Sequence, residues 1–169
     1  LQRVIDSHIY MNTDVIVEIT GDCPFTDPDI IDIGVETFLA NKCDYLTNCE
    51  KFSFPPGLYV QVFTLKSLIE IGKIIEDPAV REHVSLYYYE NPDKYNIIHL
   101  MGSPKWRLPI NTRIYLDYPE DLIFLNNIYE KLCERGKSMF GAEDIVNLLN
   151  KEQNLLEINN YLTDVPVRE

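Results

Sequence analysis

A run dense in β-branched residues, 14–20 (D-V-I-V-E-I-T), stops at Gly21 and gives way within a few residues to a helix start. This order constrains the fold most, because a buried strand must be followed by something that covers it. Asp27 is a helix N-cap, Pro28 fits the first helical position, and Asp29 complements the helix dipole. Ile31, Val35, Phe38 and Leu39 follow at helical spacing and are expected to face the core. The alternation then repeats. Residues 43–47, 59–64, 95–101 and 112–116 read as strands, and 50–58, with Pro55, Pro56 and Gly57, as a loop. Residues 1–12 read as the end of a helix and 65–76 as another. Asp77-Pro78 opens a helix to about Tyr89. A helix from Pro119 places Leu122, Leu125, Ile128 and Leu132 on one face, and residues 142–150 form a last helix. Such alternation predicts an α/β fold with a mixed, largely parallel sheet flanked by helices. Residues 1–135 are expected as one α/β domain and 136–169 as a helical C-terminal appendage.

The chain has 169 residues, enough for one domain with a real core, and its formal net charge is −12. Such a charge opposes contact with nucleic-acid phosphates, so no nucleic-acid partner is expected. No apolar run approaches the ~20 residues needed to cross a bilayer, so no membrane partner is expected either. Cys23, Cys43, Cys49 and Cys133 form no C-x-x-C pair and fit no zinc spacing, which favours reduced cysteines in a cytoplasmic protein. The start of the chain lacks a signal peptide's basic and apolar regions.

Four segments could carry chemistry. Thr20-Gly21-Asp22-Cys23-Pro24 follows the carboxyl end of a strand, where ligands bind in open α/β sheets. From this segment alone, turn capping explains Asp22 better. Asp117, in Y-L-D-Y-P-E-D, also follows a strand candidate. Helix capping accounts for Glu120 and Asp121 but leaves Asp117 free. Two carboxylates at the ends of two strands of one sheet suit magnesium, which takes one or two carboxylates, several waters and substrate phosphates. Arg81, Glu82 and His83 form a third segment: Arg81 suits an anion, whereas a lone His83 at the edge of a buried face is more often packing. Asn48 ends a strand and could bond sugar hydroxyls, or cap a turn. Neither a P-loop nor a G-x-G-x-x-G motif is present.

Taken in order, residues 17–32 (V-E-I-T-G-D-C-P-F-T-D-P-D-I-I-D), 44–48 (D-Y-L-T-N), 55–63 (P-P-G-L-Y-V-Q-V-F), 81–84 (R-E-H-V), 116–122 (L-D-Y-P-E-D-L) and 139–149 (M-F-G-A-E-D-I-V-N-L-L) resemble the cytidylyltransferase family of the spore-coat polysaccharide and acylneuraminate type. The resemblance implies a Rossmann-like (GT-A-like) nucleotidyltransferase sheet. It also implies transfer of CMP from CTP to a sugar or sugar acid, with release of pyrophosphate. Asp22 and Asp117 match the family's ligands for magnesium or manganese, and Asn48, Gln61, Arg81, Glu82 and His83 match its sugar-side segments. By the same resemblance, the first strand and the nucleotide loop are missing. That predicts low activity for this chain, and poor solubility or self-association through the exposed edge, a homodimer being allowed. Pro56, Tyr59 and Gln61 stand where many relatives carry other residues, acidic ones among them, which bears on the choice of sugar. Two alternatives stay open: a non-catalytic sugar-nucleotide-binding or partner-interaction module, and a nucleotidyltransferase using another base.

Overall fold

The strand-forming runs assemble into one four-stranded sheet: β1 (Val15–Glu18), β2 (Tyr45–Thr47), β3 (Gln61–Thr64) and β4 (Ile97–His99), in the order β1-β3-β2-β4. The structure is a computed structural model and describes residues 1–51 and 53–164. β3 pairs antiparallel with both β1 and β2, while β2 and β4 pair parallel. Three strands therefore run one way, and β3 is inserted between two of them in reverse. The sheet is mixed, as expected, but most of its ladder is antiparallel rather than parallel. A parallel ladder would have required β1 and β2 to be neighbours.

Each face of the sheet buries its own core. Ile16, Phe63, Tyr45 and Ile97 lie in one cross-strand row. They pack with Leu1, the N-cap of α1 (Gln2–Met11), with Ile5 of that helix, and with Leu68 and Ile71 of α3 (Leu65–Ile74). Val80 of α4 (Pro78–Glu82) and Tyr88 of α5 (Leu86–Glu90) complete that face. Tyr45 stacks on Tyr88 with ring centroids 4.9 Å apart. On the other face, Val62, Leu46, Val17 and Ile98 meet α2 (Pro28–Ala40), α6 (Pro119–Glu134) and α7 (Ala142–Lys151). Period-two alternation along each short strand supplies both faces with apolar residues.

The helix punctuation acts as read. The Asp27 carboxylate accepts from Asp29 N at 2.8 Å, and Pro28 opens α2. The same carboxylate accepts from Ala142 N at 2.6 Å, so one buried side chain caps two helices 115 residues apart. The segment after residue 135, expected as an appendage, sends Ala142, Ile145, Leu148, Leu149, Leu155 and Leu156 into the core beneath α2 and α6.

Three local expectations change. The helix after Pro78 is two short helices, because His83 leaves the helical region at φ −94°, ψ 94°. Residues 112–116 are not a strand: Ile114 N bonds Pro56 O and Leu116 N bonds Asp22 O, each to a different loop. Leu39 and Leu122 are exposed, and the buried faces of α2 and α6 run through Ile30 and Phe38, and through Phe124 and Leu125. Gly21 has no left-handed φ, and a Cβ there would meet open space, so the turn does not require glycine.

Gly57 does. Its φ is +97°, and a Cβ would stand 2.1 Å from the Ile114 carbonyl oxygen. Gly57→Ala should lower the urea-unfolding free energy by more than about 1 kcal/mol, since both the strained φ and the close approach oppose a side chain. An unchanged midpoint would show that the 57–114 contact carries no stability.

Candidate active site

The carboxyl ends of β1, β2 and β4 and the start of β3 meet along one edge of the sheet. The cross-strand row Glu18–Gln61–Thr47–His99 marks this edge. Beyond β1 the chain turns through residues 20–26. Cys23 N bonds Thr20 O, the Thr20 hydroxyl donates to Cys23 Sγ at 3.3 Å, and Thr26 Oγ1 donates to Cys23 O at 2.8 Å. The Asp22 carbonyl then accepts from Leu116 N at 2.9 Å. This single backbone bond ties the turn after β1 to the segment leading into α6.

As a result Asp22 and Asp117 line the same cleft of about 730 Å³, together with Tyr59, Glu82, His83 and Asp164. Both carboxylates act on the thiol between them. Burial first, and then the charges of Asp22 and Asp117, push Cys23 up to about 11, against the hydrogen bond from Thr20. Burial and the two carboxylates thus favour the neutral thiol.

Asp117 is held from behind by a buried ion-pair hub. Arg113, 2% exposed, lies against the fully buried Asp121, with Nε and Nη2 each donating to a carboxylate oxygen at 3.1 Å. Arg113 Nη2 also reaches Asp117 Oδ2 at 3.2 Å, Nη1 donates to the Tyr115 hydroxyl at 3.0 Å, and Asp164 pairs with Nη1. The guanidinium carbon stands 4.5 Å from the Tyr115 ring centroid and 5.3 Å from that of Tyr118. Asp121 accepts from the backbone N–H groups of Asp117 and Tyr118, both at 3.0 Å, and from Asn159 Nδ2 at 2.9 Å. Burial alone would raise the Asp121 pKa, but Arg113 and these donors outweigh it and hold the carboxyl below its usual range.

The other expected site residues divide. Gln61, Glu82 and His83 line a second lobe of about 390 Å³, and Glu82 and His83 line the first lobe as well. Asn48 is 1% exposed, and its amide is spent on the backbone, donating to Leu58 O at 2.8 Å and accepting from Val60 N at 2.8 Å. Arg81 donates to Ile75 O at 2.9 Å and lines neither lobe. The sequence reading missed the Arg113–Asp121–Asn159 hub and Glu18, and it noted Tyr59 only for the choice of sugar. The available signal was an arginine inside an apolar segment four residues before one aspartate and eight before another. A cation buried there needs such partners.

No group of three or more His, Cys, Asp or Glu among the described residues forms an all-protein metal cage. Carboxylates lining a cleft are the donor type magnesium takes together with water and phosphate, whereas zinc prefers histidine and cysteine.

No family model matches the chain. SpsF, a spore coat polysaccharide biosynthesis protein of Bacillus subtilis, is 30% identical over 156 residues, which cover 89% of this chain and 62% of that protein. An uncharacterised protein of Methanocaldococcus jannaschii is 29% identical over 170 residues, covering 100% of this chain and 67% of its own length. The structure of a cytidylyltransferase from Leptospira borgpetersenii superposes with a TM-score of 0.82 at 29% identity, covering 98% of this chain and 66% of that one. The chain thus spans about two thirds of the length of these relatives or slightly less.

The hub makes a stability prediction. Asp121→Asn leaves Arg113 buried without its main partner and should cost about 3–5 kcal/mol. A folded-state pKa below the unfolded value of about 3.9 contributes stability above that pH, lost as pH falls through the folded value. Urea titrations should therefore show an acid-side loss of stability below about pH 4 that is smaller in Asp121→Asn. An identical acid limb in both proteins would remove Asp121 as its source.

Proposed function

This chain belongs to the cytidylyltransferase family, and we propose that the complete protein transfers CMP from CTP to a sugar for cell-surface polysaccharide or glycan biosynthesis. The observation that carries this reading is the bond from Leu116 N to Asp22 O, which brings Asp22 and Asp117 onto one cleft at the carboxyl edge of the sheet. Asp22 and Asp117 would hold a magnesium or manganese ion, whose chemistry there is to neutralise the triphosphate and stabilise the leaving pyrophosphate. Asp117 keeps an oxygen for this, since only its Oδ2 is engaged by Arg113.

In the reaction a sugar hydroxyl attacks the α-phosphorus of CTP. The new P–O bond forms as the α–β bridging bond breaks, the electron pair leaves on pyrophosphate, and the hydroxyl proton passes to solvent or a side chain of the cleft. No covalent enzyme intermediate is needed. The side chains contribute positioning and charge placement. Glu82 and His83, common to both lobes, sit where the two substrates would meet, and Gln61, on the smaller lobe alone, would contact the acceptor. Asn48 and Arg81 act indirectly. Asn48 fixes the backbone that carries Tyr59, and Arg81 fixes the end of α3.

One observation favours a second reading, a non-catalytic sugar-nucleotide-binding or partner-interaction module: no lysine or arginine among the described residues lines either lobe to stabilise the charge of a transferring phosphoryl group. The two readings separate in a pyrophosphate-release assay on the complete protein with CTP, magnesium and a panel of sugars. Transfer predicts release that falls at least about a hundredfold in Asp117→Asn, with the fold intact by circular dichroism. Undiminished release in that variant overturns the metal assignment, and no release from the unmodified protein favours binding alone.

A further inference from the structure

The smaller lobe carries information about the acceptor. It is a cavity of about 390 Å³ that shares Thr20, Tyr59, Glu82 and His83 with the larger cleft, so a molecule seated there abuts the proposed transfer site. Its floor is the sheet edge at Glu18 and Gln61, which are cross-strand partners pointing to the same face. The Tyr45 hydroxyl, from the next strand, donates to Gln61 Oε1 and orients its amide. Tyr59 and Tyr89 stand among the walls, and Ser85 and Glu50 complete the polar lining.

Two of these polar groups are incomplete. Glu18 Oε2 and Glu50 Oε1 are each fully buried and receive no hydrogen bond within the structure. A buried acceptor without a donor is costly, and such groups persist where a ligand or ordered water supplies the missing bond. Burial pushes the Glu18 carboxyl up, against the pull of Ser85 and of the Leu1 ammonium, which acts on it from outside the lobe lining. Among the described residues the lobe contains no lysine or arginine, and three of its side chains are glutamates. An anionic group on a ligand would meet carboxylates in a partly desolvated cavity and no fixed cation. A hydroxyl or ammonium group would supply what Glu18 and Glu50 lack.

We infer that this lobe takes an acceptor sugar that carries no carboxylate and presents hydroxyl or amine donors to Glu18 and Glu50. The inference rests on the reading of the cleft as a transferase site, and it narrows the substrate from sugars and sugar acids to the donor-rich, non-acidic class. A pocket for a sugar acid would place a guanidinium or ammonium group where this one places Glu18.

The test uses the complete protein and three probes alike in shape but different in charge: D-glucosamine, D-glucose and D-glucuronate, with binding read by saturation-transfer NMR titration. D-glucosamine should bind at least about tenfold more tightly than D-glucuronate, with D-glucose between them. Glu18→Gln and Glu50→Gln are near-isosteric and leave the sheet register intact, so each should shrink that ratio at least about threefold. Equal or tighter binding of D-glucuronate overturns the inference, as does failure of all three probes to bind or a ratio unchanged in both variants. Because this assay needs no turnover, it is independent of pyrophosphate release. A protein that releases pyrophosphate but prefers D-glucuronate keeps the proposed function and loses the inference.

Discussion

The buried pair of Arg113 and Asp121 is the constraint on which the site depends. Two charges at 2% and 0% exposure are tolerated only because nearly every lone pair and proton has a partner. The partners are what matter. Asp121 holds the backbone N–H groups of Asp117 and Tyr118, so the carboxylate that neutralises Arg113 also fixes the entry to α6. Arg113 in turn reaches Asp117 and Asp164, and its carbonyl accepts from Asn159 at 3.0 Å. A hydrophobic replacement of this cluster could match its stability, but it would leave the position of Asp117 unspecified.

The sheet fixes the other half of the geometry. Because β3 runs against its neighbours, the loop that enters it arrives at the same edge where β1, β2 and β4 end. This brings Tyr59 and Gln61 beside Glu18 and Asp22, which an all-parallel arrangement would not do. Asn48 secures the approach, since its amide bonds the backbone on either side of Tyr59. The buried Asn48 therefore serves the cleft without facing it.

How far the chain could be read in advance follows from the range of the interactions. Local signals were legible: the Asp-Pro starts at 27–28 and 77–78 and the β-branched run of β1 depend on neighbours a few residues away. The reversed β3 was not, because strand direction is set by pairing between distant segments and leaves no mark on a four-residue run. The same holds for Asp27, whose first cap was readable and whose second, on Ala142, was not. His83 shows the limit in the other direction. Helical periodicity put it on the edge of one long helix, but the chain breaks there and turns the ring into the cleft. Asp22 and Asp117 were placed by resemblance, while their approach depends on one backbone bond that no pattern of side chains encodes.

Charge placement shows why these features belong together. Asp117, Asp121 and Asp164 share one guanidinium, and Asp22 faces the same cleft with no ion pair among the described residues. The positive charge of Arg113 is thus consumed within the protein, and the cleft stays acidic in a chain whose net charge is already −12. An acidic cleft repels a triphosphate unless a divalent cation stands between them, and in that role the excess carboxylate is useful, since it draws the cation in. Under the proposed reading, carboxylates that would weaken a simple nucleotide-binding site instead make nucleotide entry conditional on the metal. Under the inference drawn for the smaller lobe, the same excess would exclude anions and admit donors. The two lobes then differ in what they accept even though both are lined by acids: one is matched to an anion through a cation, the other to groups that can donate to glutamate directly.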